Sequence, residues 1–83
     1  MNYKVEIDIN LNEIDKVKQF AKRIEDEDFT ADLSSGHYVV DAKSLLGIFS
    51  LNLSKKVRLT IHTDKIKKCD DFIEWIKENG YTA

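Results

Sequence analysis

The chain has 83 residues, of which 34% are charged, and both signs are interspersed to give a formal net charge of −2 at pH 7. This length predicts one domain that buries about 60–65% of the surface exposed by the unfolded chain. The absence of a basic block argues against direct nucleic-acid binding, and no apolar run approaches the roughly 20 residues that span a bilayer. Because Cys69 has no partner for an internal disulfide and no signal segment follows Met1, we expect a cytoplasmic protein.

The first two predicted elements are a strand and a helix. Residues 3–9 alternate between apolar and polar side chains, which is typical of a strand with one polar face. Apolar residues then recur at helical spacing from Leu11 to about Glu25, which predicts a first helix. Asn10 lies three residues before Glu13, the spacing of a capping box, so we expect the two side chains to satisfy free N–H groups at the start of this helix.

A hairpin and a second helix are predicted next. Residues 29–33 alternate up to the turn signal Ser34-Ser35-Gly36, and residues 37–42 form the return strand. Ser44 then stands where the extended run gives way to an apolar one, which is typical of a helix N-cap. We expect this second helix to end between Asn52 and Lys55.

The last two predicted elements are a strand and a helix. Residues 57–62 alternate, and residues 66–76 have an apolar side at helical spacing, with the left-handed C-cap signal Asn79-Gly80 after them. Strands with one polar face favour an α+β fold, in which an antiparallel sheet is solvated on one face and covered by three helices on the other. Cys69 is expected to fill the core rather than act as a reactive thiol, and Tyr81 to pack at the edge.

The predicted second helix has apolar side chains around most of its circumference. Leu45, Leu46 and Phe49 should lie close together on one face, whereas Ile48 and Leu51 point toward the core. A short helix in a small domain cannot bury all five, so we expect the first three to form an exposed surface, here called the Leu/Phe patch. The alternative is that the last strand and helix cover them.

The segment from Lys43 to Leu51, KSLLGIFSL, resembles the regulatory-serine segment of the HPr family, the small phosphocarriers of the bacterial phosphotransferase system. The length, the order of the elements and the residues Gln19-Phe20-Ala21-Lys22 extend this similarity over most of the chain. The resemblance implies one HPr-like domain over residues 1–83, an open-faced β-sandwich with strand order 1-4-2-3. A ferredoxin-like fold, the alternative, lacks the short helix after the third strand.

The chain departs from this family at the start of the first helix. HPr proteins carry their phosphate on a histidine there, followed two residues later by arginine and then by proline. Counted back from Gln19-Phe20, these positions hold Glu13, Asp15 and Lys16. The two carboxylates reverse the sign of the local field and should repel a phosphoryl group. The resemblance therefore implies a Crh-like member that lacks the carrier histidine, with no catalytic residue and no cofactor.

The same resemblance implies a role in carbon catabolite regulation. HPr kinase/phosphorylase would phosphorylate Ser44, and the protein, a monomer or a weak dimer, would then bind a transcriptional regulator or other components of the phosphotransferase system. The expected contact residues are Lys43, Leu45, Leu46, Gly47 and Phe49, and Lys43 could also screen the phosphate. Two alternatives remain: an active phosphocarrier that takes phosphate from Enzyme I, and an interaction module unrelated to sugar transport that keeps the fold and the Leu/Phe patch. For Ser44 itself, the alternative is that the residue is only an N-cap.

The chain has two histidines, His37 and His62. Neither lies at a recognisable metal-ligand spacing from another histidine, a cysteine or a carboxylate, so no metal site is expected. Neither is predicted to start a helix, which makes both unsuited to the family's carrier role.

Overall fold

The structure is a computed structural model that describes residues 2–83. The strands are β1 (Tyr3–Ile9), β2 (Thr30–Ser35), β3 (Tyr38–Asp41) and β4 (Val57–Thr63), and the helices are α1 (Ile14–Glu25), α2 (Leu45–Phe49) and α3 (Ile66–Glu78). Their order along the chain is the predicted one. No helix of the described part of the chain combines the length and the apolar character needed to cross a bilayer.

The four strands form one antiparallel sheet in the order β1-β4-β2-β3, which confirms the predicted fold. A row of paired apolar residues crosses all four strands on the helix-covered face: Ile7, Leu59, Leu33 and Val40. Charged and polar side chains occupy the other face, with the exposed Val39 of β3 as the apolar exception. β1 and β3 are the two edges of this sheet.

The core lies between the sheet and the three helices. The helices contribute Val17, Phe20 and Ile24 from α1, Ile48 from α2, and Cys69, Phe72 and Ile76 from α3. Phe72 packs against Phe20 and Phe29, with ring centroids 6.1 and 5.4 Å apart. Cys69 is fully buried, as predicted. Burial raises the pKa of its thiol, and the carboxylates of Asp70 and Glu27 raise it further, so the thiol stays protonated.

Tyr81 belongs to this core, so its predicted place at the edge was wrong. Gly80 has a φ of 80°, and the Gly80 N–H donates to the Lys77 carbonyl at 3.3 Å, while the Tyr81 N–H donates to the Ile76 carbonyl at 3.1 Å. These two bonds form a Schellman motif at the predicted C-cap, which turns the chain back toward α3. The Tyr81 hydroxyl donates to the Lys16 carbonyl at 3.0 Å, which satisfies its polar end, and burial raises its pKa.

Helix α2 is shorter than predicted, because it ends at Phe49 rather than between Asn52 and Lys55. The Ser50 hydroxyl donates to the Gly47 carbonyl at 2.6 Å, and the Asn52 side chain accepts the Ser54 N–H at 3.2 Å. Such side-chain bonds to nearby backbone groups compete with the helical pattern. The apolar residues Leu51 and Leu53 therefore lie beyond the helix.

Candidate functional site

The site begins at the turn that joins β3 to α2. The Asp41 side chain accepts the Lys43 N–H at 2.8 Å, and the Asp41 carbonyl accepts the Ser44 N–H at 3.0 Å. This turn places Ser44 in an extended conformation at the N-cap of α2, where its Oγ accepts the Gly47 N–H at 3.1 Å. The predicted N-cap is thus confirmed, and the hydroxyl oxygen acts as an acceptor toward the helix.

The residues that follow Ser44 are exposed or buried as the sequence predicts. Leu45, Leu46 and Phe49 are exposed, and Leu46, at 85%, is the most exposed large apolar residue between positions 2 and 83. Ile48 is fully buried and Leu51 nearly so. β4 and α3 therefore do not cover the Leu/Phe patch, which begins one residue after a helix-capping hydroxyl.

Gly47 has a role inside the protein. A Cβ at this position would lie 3.1 Å from the Val40 Cβ and 3.2 Å from the Ser44 Oγ, closer than most real Cβ contacts. The missing side chain lets α2 lie directly against β3 and keeps the capping bond short. The absence of a side chain at Gly47 therefore serves the packing of α2 against Val40.

Lys43 is engaged with the segment between α1 and β2. Its Nζ donates to the Glu27 carbonyl at 2.6 Å and lies 6.0 Å from the centroid of the Phe29 ring. This bond ties the Lys43 side chain to that segment and uses one of the three N–H donors of the ammonium group.

The start of α1 differs from the predicted capping box. Glu13 is the N-cap rather than the third helical residue, and its side chain makes no capping hydrogen bond. The Asn10 side chain instead accepts the Asn12 N–H at 3.2 Å, which closes a local turn before the helix. This turn delays the helix, so the predicted reciprocal bonds between Asn10 and Glu13 do not form.

The first turn of α1 is acidic and partly apolar at its surface. Glu13 and Asp15 are exposed, and Ile14 between them is 63% exposed. Lys16 donates from Nζ to the Gly80 carbonyl at 3.3 Å, and its Nζ lies 5.8 Å from the centroid of the Tyr81 ring. Lys16 therefore supports the C-terminal turn of α3, and two carboxylates dominate this helix start.

The two histidines lie outside the helix starts. His37 is exposed in the turn between β2 and β3, and the His62 Nε2 lies 3.7 Å from the Asp32 Oδ2 on the open face of the sheet. In residues 2–83, no three side chains of the histidine, cysteine, aspartate or glutamate type come close enough together to hold a metal ion.

An ion cluster at the start of α3 was missed by the sequence reasoning. The Asp28 Oδ2 lies 3.2 Å from the Lys65 Nζ and 3.6 Å from the Lys68 Nζ, beside a groove of about 510 Å³. The hydrogen bond from Lys65, then the charges of Lys65 and Lys68, lower the pKa of the Asp28 carboxyl group. These residues are too far apart in the chain for spacing to reveal the contact.

Comparison with known proteins does not assign the chain to a family. No protein-family model matches the chain, and no curated protein matches it either. The likeness to the HPr family therefore rests on the serine segment and on the order of the elements, and the fold agrees with that likeness in its sheet order β1-β4-β2-β3.

Proposed function

We propose that this protein is a non-catalytic regulatory domain of the HPr type, which binds a protein partner through the Leu/Phe patch under the control of a phosphate on Ser44. The observation that carries the proposal is the position of the Ser44 hydroxyl, at the N-cap of α2 and one residue before the exposed Leu45 and Leu46. The similarity of the segment from Lys43 to Leu51 to the HPr regulatory site supports the same function.

Phosphorylation of Ser44 is compatible with the fold. The kinase would transfer the terminal phosphoryl group of ATP to Oγ, with loss of the hydroxyl proton and release of ADP. Toward the helix, Oγ only accepts a hydrogen bond, from the Gly47 N–H. A phosphate oxygen can accept the same bond, and the half-buried Ser44 lies at the surface end of the turn. We therefore expect α2 to persist after phosphorylation.

The same phosphate would change what the Leu/Phe patch can bind. A phosphoserine carries about −1.5 to −2 charges and three strong acceptor oxygens. Placed beside Leu45 and Leu46, this charge opposes a purely apolar contact but favours a partner that presents an arginine to it. Ser44 would therefore select between two classes of partner without a change of fold.

The start of α1 explains why the proposal is regulatory rather than catalytic. The phosphoryl group of a carrier needs a nucleophile in a field that attracts anions, and this helix start offers the exposed carboxylates of Glu13 and Asp15. A carboxylate could form an acyl phosphate only if positive groups stabilised it, and Lys16 is held by the Gly80 carbonyl. We therefore assign no phosphocarrier activity.

Mass spectrometry after incubation with HPr kinase/phosphorylase and ATP tests the proposal. The wild type should gain one phosphoryl group, and Ser44→Ala should gain none. Ser50→Ala is the matched control, because Ser50 is an exposed serine at the other end of the same helix, where its hydroxyl donates to the Gly47 carbonyl. This control should be modified like the wild type. An unmodified wild type, or modification of Ser44→Ala, would leave only an interaction module unrelated to sugar transport.

A further inference from the structure

A groove at one end of the sheet is positively charged, although the chain as a whole has a net charge of −2. The groove has a volume of about 370 Å³ and lies between the β2–β3 hairpin and the start of β4. Three cations, one carboxylate and two hydroxyl groups line it, from Lys55, Lys56, Arg58, Asp8, Ser34 and Ser35. Small-molecule sites have volumes of about 300–1,000 Å³, so the size and the charge of this groove fit a small anion.

The strand register brings these groups together from three parts of the chain. Arg58 of β4 is paired with Asp8 of β1 on one side and with Ser34 of β2 on the other. Because paired residues point to the same face, all three side chains lie on the open face of the sheet. The Asn52 side chain accepts the N–H and the hydroxyl group of Ser54 at 3.2 and 2.6 Å, which fixes the loop just before the two lysines.

The two lysines supply the positive charge that a ligand can use. The Arg58 Nε lies 3.0 Å from the Asp8 Oδ1, so these two groups largely neutralise each other. The Lys56 Nζ donates to the Thr82 carbonyl at 3.2 Å, which leaves two N–H donors of its ammonium group. Within residues 2–83, Lys55 takes part in no ion pair. Two lysines suit the charge of one phosphate dianion, whereas a nucleic acid needs a row of phosphate contacts.

A second groove, of about 650 Å³, adjoins the first at the hairpin loop. Ser35, Gly36 and Lys55 line both grooves, so a ligand held by Lys55 can extend from one into the other. The second groove adds the side chain of Tyr38, which is 75% exposed. An exposed aromatic ring offers a stacking surface to a flat organic group.

We propose that the two grooves together bind a small phosphate monoester that carries a flat, aromatic organic group. The phosphate binds between the two lysines and accepts hydrogen bonds from the hydroxyl groups of Ser34 and Ser35, while the organic group packs on the Tyr38 ring. The site lies beyond the end of α2, at the opposite end of this helix from Ser44. It therefore goes beyond the regulatory function proposed for Ser44.

An NMR titration of the isotope-labelled protein with methyl phosphate and phenyl phosphate tests this site. At low salt and a pH of about 7.5, both probes are dianions and their attraction to lysine is little screened. Amide signals of residues 34–37 and 55–58 should shift to saturation, and phenyl phosphate should bind about twofold to tenfold more tightly, because only this probe reaches Tyr38. Sodium chloride at the same ionic strength should leave these signals in place. The absence of a saturable shift at these residues, or equal affinities for the two probes, overturns the proposal.

Substitutions separate this site from general attraction to surface lysines. Lys55→Gln should weaken the binding of methyl phosphate by about threefold to tenfold. Lys4→Gln is the matched control, because it removes the same charge from an exposed lysine of the open face, four residues along β1 from Asp8. Tyr38→Thr should lower the affinity for phenyl phosphate to that for methyl phosphate. Equal weakening by Lys55→Gln and Lys4→Gln would contradict the proposal.

A phosphotyrosine peptide flanked by alanines distinguishes a protein ligand from a small molecule. It should bind no more tightly than phenyl phosphate, because the two grooves hold the phosphate and the ring alone. A peptide that bound more than about tenfold more tightly would assign the site to a protein partner and overturn the proposal. None of the substitutions touches Ser44, so loss of phosphate binding and loss of phosphorylation are separate results.

Discussion

The starts of α1 and α2 both follow an edge strand, yet they offer opposite chemistry to an anion. At α2, the Ser44 hydroxyl caps the Gly47 N–H, and apolar residues follow it. At α1, the Glu13 carboxylate makes no capping bond, and Asp15 adds a second negative charge. A phosphate at α2 can take over an acceptor position that already exists, whereas a phosphate at α1 would meet two carboxylates. The fold alone does not decide which chemistry a helix start supports.

The largest expected effect on stability concerns the contact that holds α2 on β3. Gly47→Val would add side-chain atoms where even a Cβ lies 3.1 Å from the Val40 Cβ, so α2 must move away and the Ser44 cap must lengthen. We expect a loss of about 2–3 kcal/mol of unfolding free energy, measured by urea denaturation. Leu46→Val in the same helix is the control and should change stability by less than about 0.5 kcal/mol. A Gly47→Val variant as stable as this control would contradict the close packing of α2.

The next prediction concerns the Leu/Phe patch as a binding surface. Leu46→Glu places a charge at the most exposed apolar side chain and should lower the kcat/KM for phosphorylation of Ser44 by about tenfold or more, as expected for a residue at the centre of a contact. Unfolding free energy should hardly change, because Leu46 packs against little. Tyr3→Glu, at the exposed start of β1, is the control and should leave kcat/KM unaffected. Equal kcat/KM values for Leu46→Glu and the wild type would show that the Leu/Phe patch takes no part in binding the kinase.

The two N-caps should also differ in what they contribute to stability. Ser44→Ala removes a capping hydrogen bond and should cost about 1 kcal/mol, whereas Glu13→Ala removes none and should stay within about 0.5 kcal/mol of the wild type. Urea denaturation of the wild type and both variants, at the same pH and salt concentration, measures the two changes in unfolding free energy. If Glu13→Ala were the more destabilising of the two, the assignment of the caps would be wrong.

The smallest expected effect lies at the start of α3. The pKa of Asp28 is lowered by Lys65 and Lys68, so its contribution to stability is present above the ordinary pKa of an aspartate and is lost as the pH falls through the lowered value. Asp28→Asn should therefore be slightly less stable than the wild type at pH 7, with a difference that vanishes in acid. High salt should also reduce this difference, because the cluster is exposed. A difference that persists in acid would assign the effect to something other than charge.

Local patterns in the sequence predicted most of the site and all of the element order. The alternation of the strands and the apolar residues after Ser44 are properties of neighbouring residues, so the cap and the exposed patch could be inferred from the chain. The start of α1 and the end of α2 could not be inferred, because side-chain bonds of Asn10, Ser50 and Asn52 to nearby backbone groups displaced them.

Contacts between distant parts of the chain account for the other differences. How the elements pack together decides two of these contacts. One is the bond from Lys43 to the Glu27 carbonyl, and the other is the bond from the buried Tyr81 hydroxyl to the Lys16 carbonyl. No spacing in the sequence encodes either contact. The same holds for Gly47, which the resemblance placed among the partner contacts and which lies against Val40 of the same chain.

A single phosphosite-mapping experiment with two donors tests the contrast between the two helix starts most directly. The wild type is incubated in one arm with HPr kinase/phosphorylase and ATP, and in the other with Enzyme I and labelled phosphoenolpyruvate, with an HPr that has its histidine as the positive control. Our account predicts phosphate on Ser44 in the first arm and no label in the second. Label on Glu13, His37 or His62 in the second arm, or phosphate on Ser50 or Ser54 instead of Ser44 in the first, would contradict it.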